Sequence, residues 1–486
     1  MTDQHRADCL GFMGHPCVQT PNLDALVRES VVFDRAFCQS PVCMASRGAL
    51  FTGRYPAAIR IRGMGLLPPS EVTIAETLKR HGYRTGAFGK VHLTPEQYTK
   101  NQLKSSVPLL DWRLFAKDAC LSPIPDDPYK VNYGFDLHIG CDDLGMGLHQ
   151  EWLARHAPEL VTLKPTRYDE PAPGDLYVSP YPSEYHHSTF IAQSCIDFLK
   201  ARQGGEPWFA FCSFVRPHHP FEAPADQIAR YDFDAVPLPE AKGGVDPAFI
   251  PPPISDAIGE LEGYSDTVIR RTILHYLASI SLIDDNVGRI LATLRENGQL
   301  DNTIIVFVAD HGEFLGNHGL LRKPSMHYDE VMQVPLMVRI PNGTGRRVSG
   351  LVELVDVMPT CLGLLEVPGH PGIQGRDWSN ALRHGEEIDR KDVYSDMFDL
   401  QGTFTGQGAG PYGAACTLRT AEWKLTIYPN AGMQFGQLFD LANDPDETNN
   451  LYGDPTHRST REELLWRLFA RAFQNTDPLP VRLTQF

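Results

Sequence analysis

TIIVFVADHGEFLGNHG, residues 303–319, carries the strongest statement about the fold. Its opening positions are apolar or β-branched, too few for a helix and closed by polar residues, so they read as a strand buried on both faces. The run then breaks abruptly at Asp310 and His311. An acid and an imidazole at the C-terminal end of a buried strand stand where open parallel sheets hold their ligands. Similar short runs recur as VVFDRAF at 31–37, YRTGAFG at 83–89, WFAFCSFV at 208–215 and PLMVRI at 335–340. Helical patterns alternate with them. Thr73 and Glu76 have capping-box spacing, Pro21 follows a candidate N-cap at Thr20, and a long helix is predicted from about Asp266 to Glu296, closed by Gly298. This alternation predicts an α/β fold with a large, mostly parallel sheet flanked by helices on both faces.

Beyond about residue 375 the texture changes. VYSDMF, CTLRT, WKLTIYP and QLFDL are short strand-like runs, followed by a helix over 459–475. They predict a smaller antiparallel α+β subdomain over 376–486, completing the active-site side of a main domain over 1–375. Residues 100–185, rich in Pro, Asp, Gly and Tyr, predict long loops over the sheet edge.

Composition narrows the function classes. The chain has 486 residues, 42% of them hydrophobic, enough to bury a large core. Lys and Arg number 44 against 60 Asp and Glu, for a net charge of -16, which argues against a nucleic-acid surface. An anionic substrate would have to be drawn against that field by a local cluster of Lys, Arg, His or metal. Ten cysteines are too sparse for a disulfide scaffold and fit a reducing compartment. No apolar run approaches the ~20 residues of a membrane span. Residues 1–30 lack the charged-then-apolar order of a signal peptide. Read as written, the protein is cytoplasmic and does not enter a membrane.

The chemistry concentrates in CQSPVCMASRGALFTGRYP, residues 38–56. A helix starting just after Cys43 would aim its N-terminal N–H groups and positive dipole end at an anion, and Arg47, one turn on, faces the same point. The plainer reading of Cys43 is a small buried hydrophobe. Further islands carry functional residue types. TDQHRADCLG, residues 2–11, offers Asp3 and Gln4, oxygen ligands suited to a hard cation. GKVHL, residues 89–93, offers Lys90 and His92; PHHPFEAP, residues 217–224, offers His218 and His219. Lys323 lies thirteen residues beyond Asp310. His5, Cys9, His15 and Cys17 have a spacing that matches no usual zinc module.

Together these islands resemble the formylglycine-dependent sulfatases of the alkaline phosphatase superfamily. In that family the Cys of a CxPSR or CxASR core is oxidised after translation to formylglycine; Cys43, Ser46 and Arg47 fall on the matching positions, with Ala45 where Pro is commoner. Apart from loops at 94–185 and 225–260, the resemblance covers the chain. It implies a sulfuric ester hydrolase that cleaves small anionic sulfate esters to alcohol and inorganic sulfate. It also implies one divalent metal, Ca2+ by its oxygen ligands with Mg2+ or Mn2+ as alternatives, held by Asp3, Gln4, the matured Cys43, Asp310 and His311. Asp310 would help deprotonate the nucleophile, and His218 or Lys323 would protonate the leaving oxygen. His92 would release sulfate, while Lys90 and Arg47 hold the oxyanions. A formylglycine-generating maturation enzyme is the implied partner.

The rival within the superfamily is a phosphonate or phosphodiester monoester hydrolase, whose members typically lack the equivalents of Lys90 and His92. A silent binding protein would follow if Cys43 were never oxidised. The family normally has an apolar strand before its first metal Asp, whereas Met1 and Thr2 alone precede Asp3. The expectation is a start further upstream, which would admit a periplasmic location, or a sheet built without that strand.

Overall fold

Alternation along the strands sets the layers. Ala87 and Phe88 are neighbours in one strand, yet Ala87 joins one apolar cluster and Phe88 another, because successive side chains of a strand point to opposite faces. The computed structural model describes residues 1–93, 132–142, 146–170, 172–202, 205–239, 245–255, 261–398 and 414–479. Of the loops expected over 100–185, residues 100–131, 143–145 and 171 lie outside the described residues.

In the first sheet, Ser30–Phe37 (β1) runs parallel to Arg346–Glu353 (β11) and antiparallel to Gln333–Arg339 (β10), which pairs antiparallel with Ile305–Val308 (β9). In the second, Arg84–Gly89 (β2) is parallel to both Leu137–Asp142 (β3) and Trp208–Ser213 (β7), and Met146–Gly147 (β4) runs antiparallel beside β3. A small sheet of Thr166–Arg167 (β5), Leu176–Val178 (β6) and Phe221–Ala223 (β8) lies apart from these.

Met1–Asp3 joins the two larger sheets. The Thr2 N–H donates to the Val308 carbonyl (3.0 Å), the Phe214 N–H to the Met1 carbonyl (2.9 Å), and the Met1 amino group to the Cys212 carbonyl (2.8 Å). Thr2 bridges Ala309 and Asp3 bridges Pro217, both in parallel sense. Followed through these pairings, β1, β2, β3, β7, β9, β11 and Met1–Asp3 all point one way, and only β4 and β10 are reversed. The expected largely parallel sheet is present, and among the described residues its central strand is this three-residue bridge.

Helices cover both faces. Cys43–Thr52 (α1), Ile74–Arg80 (α2) and Val357–Leu364 (α5) bury Leu50, Phe51, Ile74, Leu78, Met358 and Leu362 against Ala87, Phe211, Val308 and Leu336. On the opposite face His187–Lys200 (α3) and Asp266–Glu296 (α4) bury Ile191, Phe198, Ile283 and Leu294 against Phe88. The boundaries of α4 are those the sequence predicts. Ser265 caps it by accepting from the Val268 N–H (3.3 Å), and Gly298 leaves it with φ of 67°.

The C-terminal part is the expected antiparallel sheet: Asp392–Phe398 (β12), Ala414–Thr420 (β13), Trp423–Ile427 (β14) and Gly436–Asp440 (β15) in sequential order. Arg458–Gln474 (α6) packs Leu464 and Leu468 on it. One buried carboxylate ties it to the main sheet. Glu353, the last residue of β11, accepts from the Tyr55 hydroxyl (2.6 Å), the Tyr394 N–H (2.8 Å), Arg471 (2.8 Å) and Arg390.

Asp396 on β12 gives a pH test of this region. Its N–H donates to the Gln39 carbonyl (2.9 Å), and burial pushes its carboxyl up to about 6 despite Arg62 at 3.3 Å. Since the folded value exceeds the unfolded one of ~3.9, its contribution to stability is fully present below about pH 4 and is lost as pH rises through about 6. In urea titrations, Asp396→Asn should gain about 2–3 kcal/mol on the parent between pH 4 and pH 7. Parallel stability profiles for the two proteins would contradict this assignment.

Candidate active site

Because the strands share one direction, their C-terminal ends open on one edge, and each delivers a polar residue there. Met1–Asp3 delivers Asp3 and Gln4, β2 is followed by Lys90, β7 leads to His218 and β9 to Asp310 and His311. After β1 the chain turns into α1, whose first residue is Cys43. No side chain caps the N-terminus of α1, so its first-turn N–H groups remain available to an anion.

Arg47 lies at the centre. Its Nε donates to Asp310 Oδ2 (2.7 Å), Nη2 to Asp3 Oδ2 (3.0 Å), and Nη1 to the Lys90 carbonyl (2.5 Å) and Ser213 Oγ (3.1 Å). Lys90 Nζ is 2.9 Å from Asp3 Oδ2, so one Asp3 oxygen faces two cations. All three side chains are fully buried. Burial alone would raise the Asp3 carboxyl; Lys90, His218 and Arg47 outweigh it and hold the group well below the usual carboxylate range.

Cys43 Sγ faces the second half of the cluster. It lies 3.2 Å from His311 Nε2, 3.1 Å from Lys323 Nζ and 3.8 Å from Asp3 Oδ1. Lys323 Nζ also reaches Gln4 Oε1 (2.9 Å) and His311 Nε2 (3.0 Å). Burial, reinforced by Asp3, pushes the Cys43 thiol up to about 12. At neutral pH only on the order of one thiol in 10⁵ would be ionised, so the unmodified side chain is a poor nucleophile.

The two histidines are oriented by their other ring nitrogens. His311 Nδ1 is 2.9 Å from the Gly312 carbonyl and His218 Nδ1 is 2.5 Å from the His219 carbonyl. Each Nδ1 therefore carries the proton in the neutral ring, which leaves Nε2 as a lone pair facing the site. Burial, then Lys323, moves His311 down to about 4 and His218 well below its ordinary value.

The donor set suits a cation. Asp3, Cys43, Asp310 and His311 each present an atom, all within 4.8 Å of one another. That is the span of two ligands across an ion at ~2.3–2.6 Å, and the Gln4 amide oxygen adds a further hard donor. The Lys323 ammonium already lies among Gln4 Oε1, His311 Nε2 and Cys43 Sγ, so the surroundings stabilise positive charge. Three fixed cations, Arg47, Lys90 and Lys323, face the Asp3 and Asp310 carboxylates, leaving the local excess of positive charge that an anionic substrate needs in a chain of net charge -16.

These distances bring together Asp3, Gln4, Cys43, Arg47, Lys90, His218, Asp310, His311 and Lys323. His92 is tied to them by the chain, two residues beyond Lys90, buried and with φ of 52°. Several supporting residues carry no evident signature in the sequence. Glu313 accepts from the Gln4 amide, and the Tyr276 hydroxyl donates to the Gln4 carbonyl (2.6 Å), holding Gln4 at φ of 59°. Ser46 Oγ donates to the Asp310 carbonyl (2.6 Å). Glu222 accepts from Arg216 (2.9 Å), which in turn donates to the His218 carbonyl; His186 (3.0 Å) and His187 (3.3 Å) flank the same carboxylate. The one available signal was Glu313, in the same polar island as Asp310.

The family profile described as Sulfatase matches residues 1–367. This chain belongs to the sulfatase family. A second profile, N-sulphoglucosamine sulphohydrolase, C-terminal, matches residues 316–474. Among curated sulfatase relatives, an arylsulfatase of Clostridium perfringens is 28% identical, over 94% of this chain and 90% of that protein. A multifunctional alkaline phosphatase superfamily protein of Trinickia caryophylli is 27% identical, over 96% and 94%. Among solved structures, the phosphonate monoester hydrolase of Agrobacterium radiobacter superimposes with a TM-score of 0.79 at 23% identity, over 100% of this chain and 97% of its own, a likeness of fold.

The cation reading has a direct check. Titrating Ca2+, Mg2+ or Mn2+ into metal-free protein should raise its unfolding free energy, by about 2.7 kcal/mol at a hundredfold excess over Kd. Asp310→Asn should remove that gain. If calorimetry finds no stabilisation of the parent by any of the three ions, the cluster is not a cation site.

Proposed function

We propose that this sulfatase hydrolyses small anionic sulfate esters to alcohol and inorganic sulfate, with residue 43 acting as formylglycine and a single divalent cation, Ca2+ by its donors, at Asp3, Gln4, residue 43, Asp310 and His311. The observation that carries the reading is the setting of Cys43. A thiol pushed up to about 12 is inert as it stands, yet it lies at the start of a helix among three fixed cations and the cation ligands.

Hydrated, the modified side chain would supply an oxygen nucleophile, and a cation held by Asp3, Gln4, Asp310 and His311 would neutralise charge on it and on the ester. The rest follows from the chain's own groups. Arg47 holds the Asp3 and Asp310 carboxylates in place, and with Lys90 it provides the fixed positive charge for sulfate oxygens. Asp310, at the end of β9, is the acceptor for the proton of the attacking hydroxyl. Lys323 is the better donor to the leaving oxygen. His218 carries its proton on Nδ1, committed to the His219 carbonyl, and turns a lone pair to the site, whereas the Lys323 ammonium has protons to give. His92, beyond Lys90, takes the proton whose loss releases sulfate.

Maturation has a structural condition. Cys43 is 3% exposed and enclosed by residues distant in sequence, so the maturation enzyme must reach it before the fold closes. The rival reading, a phosphorus monoester hydrolase, draws on the likeness to the phosphonate monoester hydrolase fold. The presence of Lys90 and His92, whose equivalents the phosphorus monoester hydrolases typically lack, favours sulfate.

Mass spectrometry of the peptide containing residue 43 from active enzyme should show formylglycine. Fully active protein with unmodified Cys43 would end this mechanism. Matched aryl sulfate, phosphodiester and phosphonate substrates should show preference for sulfate, and a preference for phosphorus would favour the rival.

Lys323→Ala separates the two candidate acids. The variant should lose about 10²–10⁴ in kcat on alkyl sulfates and markedly less on aryl sulfates with good leaving groups. Equal losses on both would return the role to His218.

A further inference from the structure

An amide side chain has two ends, and only its oxygen has lone pairs to offer a hard cation; the nitrogen only donates. The worth of Gln4 as a ligand therefore depends on which end faces the cluster. Its backbone does not decide this. The Gln4 N–H donates to Asp310 Oδ1 (3.0 Å) and the Tyr276 hydroxyl donates to the Gln4 carbonyl (2.6 Å), and both bonds stand whichever way the amide is turned. The side-chain partners do decide it. On one side the Lys323 ammonium, a donor only, meets Oε1 at 2.9 Å. On the other, Nε2 donates to Glu313 Oε2 and lies 3.2 Å from His219 Nδ1.

These partners differ in how firmly they choose. His219 can serve either end of the amide, because moving its proton between the ring nitrogens turns Nδ1 from acceptor to donor. A carboxylate only accepts. Glu313 is fully buried in the loop after β9, and its other oxygen, Oε1, takes the Leu315 N–H (2.9 Å) and the Arg322 N–H, so the backbone pins the group in place. We propose that Glu313 is the positioning residue that turns the Gln4 amide oxygen toward the cation. It acts through Gln4, standing outside the donor group of Asp3, Cys43, Asp310 and His311. The inference rests on the cation reading of that cluster.

Glu313→Gln isolates the effect. The replacement keeps the shape, and its oxygen stays on the Leu315 and Arg322 amides, which leaves its NH2 group facing Gln4. Two NH2 groups cannot pair, so Gln4 turns over and presents its nitrogen to the cluster. Exchanging the two residues, in Gln4→Glu/Glu313→Gln, restores a donor–acceptor pair and leaves one oxygen at position 4 for the cation, at unchanged net charge. Calorimetric Ca2+ titration of the metal-free proteins, at about pH 8 where carboxylates are ionised, tests this. Glu313→Gln should bind at least tenfold more weakly than the parent. Gln4→Glu should raise affinity at least tenfold more in the Glu313→Gln background than in the parent, a coupling that a merely structural role of Glu313 in its loop would not produce. Equal binding by parent and Glu313→Gln, or equal effects of Gln4→Glu in the two backgrounds, would overturn the proposal while leaving the cation reading intact. A parent that binds no Ca2+ would end both.

Discussion

Two carboxylates at the ends of adjacent parallel strands, both shut away from water, cannot remain ionised without a partner, and the Arg47 guanidinium is that partner. It spans Asp310 and Asp3 with separate nitrogens and fixes the Lys90 carbonyl with a third. Removing one member of such a buried set costs about 3–5 kcal/mol, because an unpaired charge stays behind. The geometry of the site follows from this clamp. It sets the approach of α1 to the sheet edge, and hence the position of Cys43, with Lys90 on the Asp3 carboxylate and the Lys323 ammonium 3.1 Å from the Cys43 sulfur.

A similar device operates where the main sheet meets the C-terminal one. Glu353 closes β11 and gathers Tyr55, Tyr394, Arg390 and Arg471 around one carboxylate. Tyr55 follows α1, Tyr394 belongs to β12 and Arg471 to α6, so the C-terminal sheet is registered against the same helix that carries Cys43. Specific polar contacts of this kind fix orientation where apolar packing alone would tolerate sliding.

Much of this was legible in the sequence because several of the candidate site residues stand where a strand pattern stops. Asp310 and His311 interrupt an apolar run, and Lys90 follows one. The direction of β10 was not legible, since PLMVRI reads the same in either sense and only its pairing with β1 and β9 reverses it. Tyr276 was hidden for another reason: it lies within the apolar stripe of α4, where a Tyr looks like core, and only the fold brings its hydroxyl to Gln4. Glu222 and His186 likewise meet only through the packing of α3 beside the segment after β7. At Met1–Asp3, bonds to both sheets hold Asp3 in place, a pairing that only the fold reveals.

The span of the cluster along the chain gives the site a clock. Cys43 is enclosed by His311 and Lys323, 268 and 280 residues later in the sequence. At a synthesis rate of ~5–20 residues per second, roughly 13 to 54 s separate the appearance of the cysteine from that of the imidazole that covers it. Until then neither His311 nor Lys323 can cover the thiol. The same long-range topology that buries the cysteine in the finished fold thus leaves an interval, set by translation, before these two side chains can enclose it.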